Sequence, residues 1–279
     1  MQKNHPVSLT GESVIQPPRV ISASGFKPAL VRLMRLLAPW LLPIVLLIVW
    51  YLSSLNEASR TILPSPFEVV TRAVTSLESG DLSESMYVSA RRALAGFVLG
   101  GSIGFVLGLL NGISRRAEIT LSTTINMVHN IPVLALISLF IVWFGIGEEV
   151  KIVMVAFGVF FPVYINTFHG IRNIDRGLLE MGKVYGFTPM EMFRDIIFPG
   201  ALPSILVGVR LSLSIMWLVL IAAETIASDA GIGYMAITGR ELMQMDKVVL
   251  SIIIYALLGK LSDVIASSLM RRVLRWRNQ

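Results

Sequence analysis

RNIDRGLLEMGKVYGFTPMEMFRDIIFPGALP, residues 172–203, is a polar segment lying between two apolar stretches long enough to cross a bilayer. Its own residues specify two short helices joined by a turn. Gly186 suits the left-handed position that ends the first helix, and Thr188-Pro189-Met190-Glu191 opens the second as a capping box with proline at the first helical position. The same segment carries Leu178, Leu179, Met181, Phe187, Met190, Met192 and Phe193. A helix pair that is merely hydrated does not expose so much apolar surface, so the hairpin needs a partner surface or the lipid interface.

Outward from the hairpin the chain is apolar. It is 54% hydrophobic and 15% charged, with a mean hydropathy of +0.71, whereas an ordinary soluble domain is about a quarter charged. These values specify a polytopic membrane protein. Roughly 20 apolar residues span the hydrocarbon core, and runs near that length occur at 36–55, 93–113, 121–146, 152–171, 203–223 and 248–270. The expected fold is all-α with about six transmembrane helices. Arg210 interrupts the fifth run, and Lys260 and Asp263 the sixth; Pro39 and Pro43 fall early in the first, where a missing amide costs less than mid-helix. Residues 1–35 read as a cytoplasmic, disordered tail, the first 26 of them, with Pro17-Pro18 and scattered Ser, Gly and Gln, lacking periodicity, ahead of a membrane domain over 36–279. Basic residues before the first run also fit a secretory signal, but the run is about twice a typical h-region and lacks a cleavage site, which favours an uncleaved span.

Lysine and arginine set the orientation. With the amino terminus inside, the inner side receives Lys3, Arg19, Lys27, Arg32, Arg35, Arg115, Arg116, Arg172, Arg176, Lys183, Arg194, Arg271, Arg272, Arg275 and Arg277. The outer side receives Arg60, Arg72, Arg91, Arg92, Lys151, Arg240 and Lys247. The first set is about twice the second, which puts both termini and the hairpin in the cytoplasm. Arg91 and Arg92 are expected at the outer interface, their side chains reaching headgroups. Also outside, Ser65-Pro66-Phe67-Glu68 forms a second capping box, opening a short surface helix with Phe67, Val70, Val74 and Leu77 on one face.

In the second run Gly96, Gly100, Gly104, Gly108 and Gly112 recur every fourth residue. Such a stripe lets a neighbouring backbone approach closely, whether that neighbour is in this chain or in a second copy.

Little in the sequence supports catalysis. Gly182-Lys183 and Gly259-Lys260 lack both the upstream glycine and the following hydroxyl of a nucleotide-phosphate loop. There is no cysteine, and the three histidines, at 5, 129 and 169, have no metal-binding spacing. The net charge of +6 follows from membrane topology, so nucleic acid is not an expected partner. Polar residues within the spans are functional candidates. Asn126, His129 and Asn130 share one face of the third span, and Asn166 and His169 one face of the fourth; interhelical hydrogen bonding is the alternative for each group. Arg210, with Ser214 one turn on, could meet an anion in a pathway or reach the cytoplasmic interface. Lys260 and Asp263 are spaced for a mutual ion pair. Glu224 closes the fifth span near the outer face, where it could meet a docked protein or mark the interface.

Glu180-Met181-Gly182, three residues, Gly186, nine residues and Ile196-Ile197-Phe198-Pro199 resemble the cytoplasmic coupling loop of bacterial ABC importer permeases. That pattern is Glu-Ala-Ala, three residues, Gly, nine residues, Ile, any residue, Leu-Pro. Met181, Gly182 and Phe198 depart from it. The likeness extends through Arg60-Thr61-Ile62-Leu63-Pro64-Ser65-Pro66, Trp143-Phe144-Gly145-Ile146, 164–177 and 199–204, and covers nearly everything after residue 36. In these stretches the chain is similar to aliphatic-sulfonate importer permeases, which share much of the pattern with taurine and nitrate permeases.

The resemblance implies a type I importer permease fold in the bacterial inner membrane, working as a homodimer. It further implies two cytoplasmic ATPase subunits on the coupling loops, and a periplasmic or lipid-anchored binding protein that delivers the substrate. ATP would be hydrolysed by the partner subunits, and no cofactor is implied for this chain. An ion-coupled secondary transporter is the other class open to such a sequence, although intramembrane acidic residues and internal repeats, its usual marks, are not evident apart from Asp263.

Overall fold

The computed structural model describes residues 28–56 and 62–275. Residues 1–27 of the expected tail, Arg60, Thr61 and Arg277 lie outside the described residues. Among the described residues all regular structure is helical: α1 (Pro28–Ser53), α2 (Pro66–Glu78), α3 (Asp81–Ile113), α4 (Arg115–His129), a 3-10 turn (Val133–Leu136), α5 (Ile137–Phe144), α6 (Glu148–Arg172), α7 (Arg176–Val184), α8 (Pro189–Ala227), α9 (Ile232–Glu241) and α10 (Met245–Val273). The chain divides into two compact units at Val49 and Trp50. In the first, the described side chains of α1, among them Trp40, Leu42, Leu46 and Ile48, are exposed, as on a helix that is apolar all round. The second unit holds everything from Trp50 onward.

Within that second unit, α3, α6, α8 and α10 are each long and apolar enough to cross a membrane. Of the most apolar window of α6, 61% is buried, against 17% for α10, so α6 is the central helix. It packs on α3 along one side and on α8 along another, burying Val150, Met154, Val155, Val159 and Val163 together with Ala93, Met216, Val219 and Leu220. In lipid this association is driven by van der Waals fit rather than by water exclusion. The glycine stripe supplies the fit. Its partner is α6 of the same chain: a Cβ on Gly104 would stand 2.5 Å from the Phe160 carbonyl, one on Gly108 2.7 Å from the Tyr164 carbonyl, and one on Gly100 would overlap the Ala156 backbone. Gly96 and Gly112 meet Val155 and Ile171. Just beyond Gly108, Asn111 Nδ2 donates to the Tyr164 hydroxyl at 2.7 Å inside the same seam.

The third expected span departs from the single helix expected over 121–146. It is broken, the axis turning 85° between α4 and the Val133–Phe144 segment. Pro132 explains the break, because it has no amide to donate and drives Ile131 away from helical geometry. Asn130 caps the end of α4, its amide donating to the Asn126 carbonyl at 3.3 Å.

The expected surface helix is α2, and its capping box is formed: Ser65 N donates to Glu68 Oε2 at 2.8 Å and Glu68 N to Ser65 Oγ at 3.3 Å. Phe67, Val70, Val74 and Leu77 are exposed, while Val69 packs with Leu82, Met235 and Leu250. α3 and α6 run parallel, their contacts advancing together from Gly96 on Val155 to Gly112 on Ile171, and so give the bundle two ends. One carries the hairpin of α7 and the first turns of α8; the opposite, far end carries α2, α9 and the starts of α3, α6 and α10.

Candidate coupling and pathway sites

The hairpin is built almost wholly from local hydrogen bonds. Asp175 caps α7 by accepting from Gly177 N at 2.9 Å. At the other end, Phe187 N donates to the Gly182 carbonyl at 2.9 Å and Gly186 N to the Lys183 carbonyl at 3.0 Å, the paired bonds of a Schellman motif. Gly186 supplies the left-handed conformation that motif needs, with φ +74°. Thr188 and Glu191 then form the expected capping box, with Thr188 N donating to Glu191 Oε2 at 2.7 Å and Glu191 N to Thr188 Oγ1 at 3.3 Å. The Thr188 amide and hydroxyl hold the Glu191 carboxyl, outside the spanning part of α8, below its usual range.

Beyond the box α8 widens into a π-helical turn, Met192–Ile197. This turn brings Met192 and Ile196 over Gly182, where an added Cβ would lie 2.8 Å from both side chains. An alanine at position 182 would have to displace the ends of these two side chains. The apolar residues of the hairpin divide into two sets. Leu179, Met192, Phe193 and Ile196 are half-buried between the two helices, whereas Leu178, Met181, Phe187 and Met190 are exposed, joined by Val184 and Tyr185. Glu180 and Phe198 are also exposed, and Pro199 is half-buried. Where α6 enters the hairpin, Arg172 is ion-paired with Glu118 of α4.

The far end carries a charged cluster that corrects two expectations. Arg92 does not reach the interface: it is 1% exposed, and Glu224 is 0% exposed. Arg92 Nη1 donates to Glu224 Oε1 at 2.9 Å and to the Ala230 carbonyl at 2.6 Å, and Arg92 Nε donates to Glu148 Oε2 at 2.8 Å. The Glu224 carboxylate accepts further bonds from Ser89 Oγ at 2.8 Å, Gly233 N at 2.8 Å and the Tyr255 hydroxyl at 2.9 Å. Lys151, 2% exposed, donates to Glu148 at 3.1 Å. One buried carboxylate thus ties α3, α8, α9 and α10 together, and Arg92 extends the tie to α6. Gly231 and Gly233 are needed because a Cβ on either would strike Glu224. Arg91, by contrast, remains 61% exposed. A signal for the cluster was present in the sequence, since the four-residue glycine period continued backward from Gly96 lands on Arg92.

The polar candidates within the spans take separate positions. Asn130 is exposed at the break after α4, and His129 packs its ring 5.0 Å from Phe161. Asn166 sits in the seam between α6 and α8, its Nδ2 donating to the Pro162 carbonyl at 2.8 Å while its Cβ faces Gly208. His169 is exposed in the last turn of α6. Arg210 and Ser214 share an exposed stripe of α8 with Val207, Leu211 and Leu218. The expected pair of Lys260 with Asp263 is the looser one, at 3.8 Å; Asp263 Oδ1 instead accepts from Arg210 Nε at 2.6 Å, across from α8 to α10. Among the described residues no group of three or more His, Cys, Asp or Glu is placed to hold a metal ion.

Residues 100–275 match the family model described as binding-protein-dependent transport system inner membrane component. The chain belongs to that family. It is 55% identical to the putative aliphatic sulfonates transport permease protein of Escherichia coli (strain K12) over 86% of this chain and 91% of that protein, and 43% identical to its namesake in Bacillus subtilis (strain 168) over 85% and 87%. It is 28% identical to the taurine transport system permease protein of Escherichia coli over 85% and 88%. The fold is similar to a chain of an inward-facing methionine ABC transporter, with a TM-score of 0.56 at 21% identity over 67% of this chain and 97% of that one. It is also similar to a chain of a bacterial alginate ABC transporter in complex with its periplasmic protein, with a TM-score of 0.59 at 18% identity over 87% and 98%. Family members are multi-pass components of the inner membrane, and importers of this type pair such permeases with ATPase subunits and substrate-binding proteins.

Proposed function

We propose that this chain is the permease subunit of an ATP-binding-cassette importer that carries aliphatic sulfonates across the cytoplasmic membrane for sulfur supply. The observation that carries the coupling role is the hairpin: a pre-organised helix pair whose exposed face is apolar, in a segment spaced as the coupling loop is. Glu180, Met181 and Phe198 lie on its accessible surface, and Gly182, Gly186, Ile196 and Pro199 hold its shape. The sulfonate assignment rests on the two permeases at 55% and 43% identity, each covered over most of its length.

In this reading both termini and the hairpin face the cytoplasm, in accord with the distribution of Lys and Arg. Two copies of the chain form the pathway, two ATPases grip their hairpins, and a periplasmic or lipid-anchored binding protein docks at the far end. ATP binding draws the ATPases together, which pulls 180–199 of each copy inward and tips the spans to face outward. Hydrolysis resets them. A sulfonate is ionised at any physiological pH, so the pathway has to neutralise it only partly; Arg210 and Ser214, with Asn130, Asn166 and His169 as polar neighbours along the spans, are the candidate groups. Proteoliposomes holding the permease, its ATPase and its binding protein should accumulate ethanesulfonate only with ATP. Accumulation by this chain alone would refute the proposal in favour of a secondary transporter.

A further inference from the structure

The charges of α8 and α10 lie too deep for a lipid-facing surface. At about 1.5 Å per residue, Lys260 is about 20 Å of helix from Lys247 and about 16 Å from Arg271, and Arg210 is about 10 Å from Pro203, where the apolar run of α8 begins. Lys260 therefore falls near the middle of a hydrocarbon core roughly 30 Å thick, and Arg210 within its inner half. Yet in the single chain the Arg210 side chain is 46% exposed, Lys260 72% and Asp263 27%. Gly259, beside Lys260, has nothing within 4 Å of where a Cβ would stand, so among the described residues that face of α10 is open, while its opposite face packs on α8 through Ser262 and Trp217. Ionised side chains at mid-membrane depth face water-filled cavities or protein rather than lipid tails. This face therefore borders an aqueous path or a second copy.

Its chemistry narrows what passes. Asp263 is engaged by Arg210 at 2.6 Å, while Lys260 stands 3.8 Å from the same carboxylate and keeps donors to spare. The trio carries one net positive charge, and Ser214 offers a hydroxyl one turn above Arg210 on the same exposed stripe. Within one copy, that single surplus charge balances one monoanion. A dianion would be left unbalanced and pressed against Asp263.

We propose that Lys260, Arg210 and Asp263 form a transit site for a singly charged sulfonate, with Lys260 meeting the anion and Asp263 weakening its hold and turning dianions away. This rests on the importer reading above. The test uses the full complex of permease, ATPase and binding protein in proteoliposomes, with ethanesulfonate uptake as readout and sulfate loaded on the ATPase side as competitor. Lys260→Gln, checked for intact assembly, should lower uptake tenfold or more, and Lys260→Arg should restore most of it. Asp263→Asn should make uptake sensitive to internal sulfate by severalfold, where the unsubstituted complex is insensitive. Undiminished uptake with Lys260→Gln, no rescue by Lys260→Arg, or unchanged sulfate insensitivity with Asp263→Asn would each overturn the site while leaving the importer intact. Failure of the unsubstituted complex to take up ethanesulfonate would overturn both.

Discussion

The two ends of the bundle are held by opposite means. At the hairpin end, order comes from bonds between residues two to five apart in sequence, with apolar side chains left exposed. At the far end it comes from buried Arg92 and Glu224, bonded to Ser89, Tyr255 and the half-exposed Glu148, up to 135 residues apart for the Ser89 and Glu224 pair. The first kind of order survives when the hairpin moves relative to the bundle. The second cannot be broken without exposing an unpaired charge, so it marks a part that moves as one piece.

Substitutions can separate these two kinds of order. The largest effect is expected for Arg92→Leu, which strands Glu224 and should lower stability by about 3–5 kcal/mol; thermal unfolding in detergent would read it, and adding Glu224→Leu should recover much of the loss. A recovery no better than either single variant would show that the cluster is not one unit. Gly100→Val comes next, since its side chain must enter the Ala156 backbone, and overpacking of this kind costs about 1–3 kcal/mol. Gly186→Ala forces a Cβ into the left-handed region at a cost of about 1–2 kcal/mol, confined to the hairpin. Its signature should be weaker binding of the ATPase with the melting of the spans unchanged. A matching fall in bundle stability would mean that the hairpin is not independent. The smallest effect is expected for Thr188→Ala, about 1 kcal/mol of local helix stability, visible as faster amide exchange over 189–192. Because Thr188 holds the Glu191 carboxyl below its usual range, the cap persists above the ordinary carboxylate pKa and is lost only as pH falls through the lowered value.

What was legible in the sequence follows the same division. Both capping boxes, the turn at Gly186 and the glycine stripe are short-range patterns, and each appears where its spacing placed it. Five of the six apolar runs coincide with single helices for the same reason. The third is broken, and hydropathy does not register a backbone break: Pro132 lay inside a run that is free of charges but carries Asn126, His129 and Asn130. Arg92 and Glu224 were misread because each was judged alone: an isolated charge near a span end belongs at the interface, and only the partner 132 residues away makes burial tolerable. Asp263 was matched to Lys260 by spacing, whereas the nearer cation stands on another helix.

The continuity of α8 has a mechanical meaning. From Pro189 to Ala227 it runs 39 residues without a loop, roughly 58 Å of rod. Its base is seated in the hairpin and its tip is riveted through Glu224. A tilt imposed at the base is therefore carried along one continuous helix toward Glu224, and its regular hydrogen bonding departs from the α pattern near the base, at the wide turn Met192–Ile197 and again at Pro203.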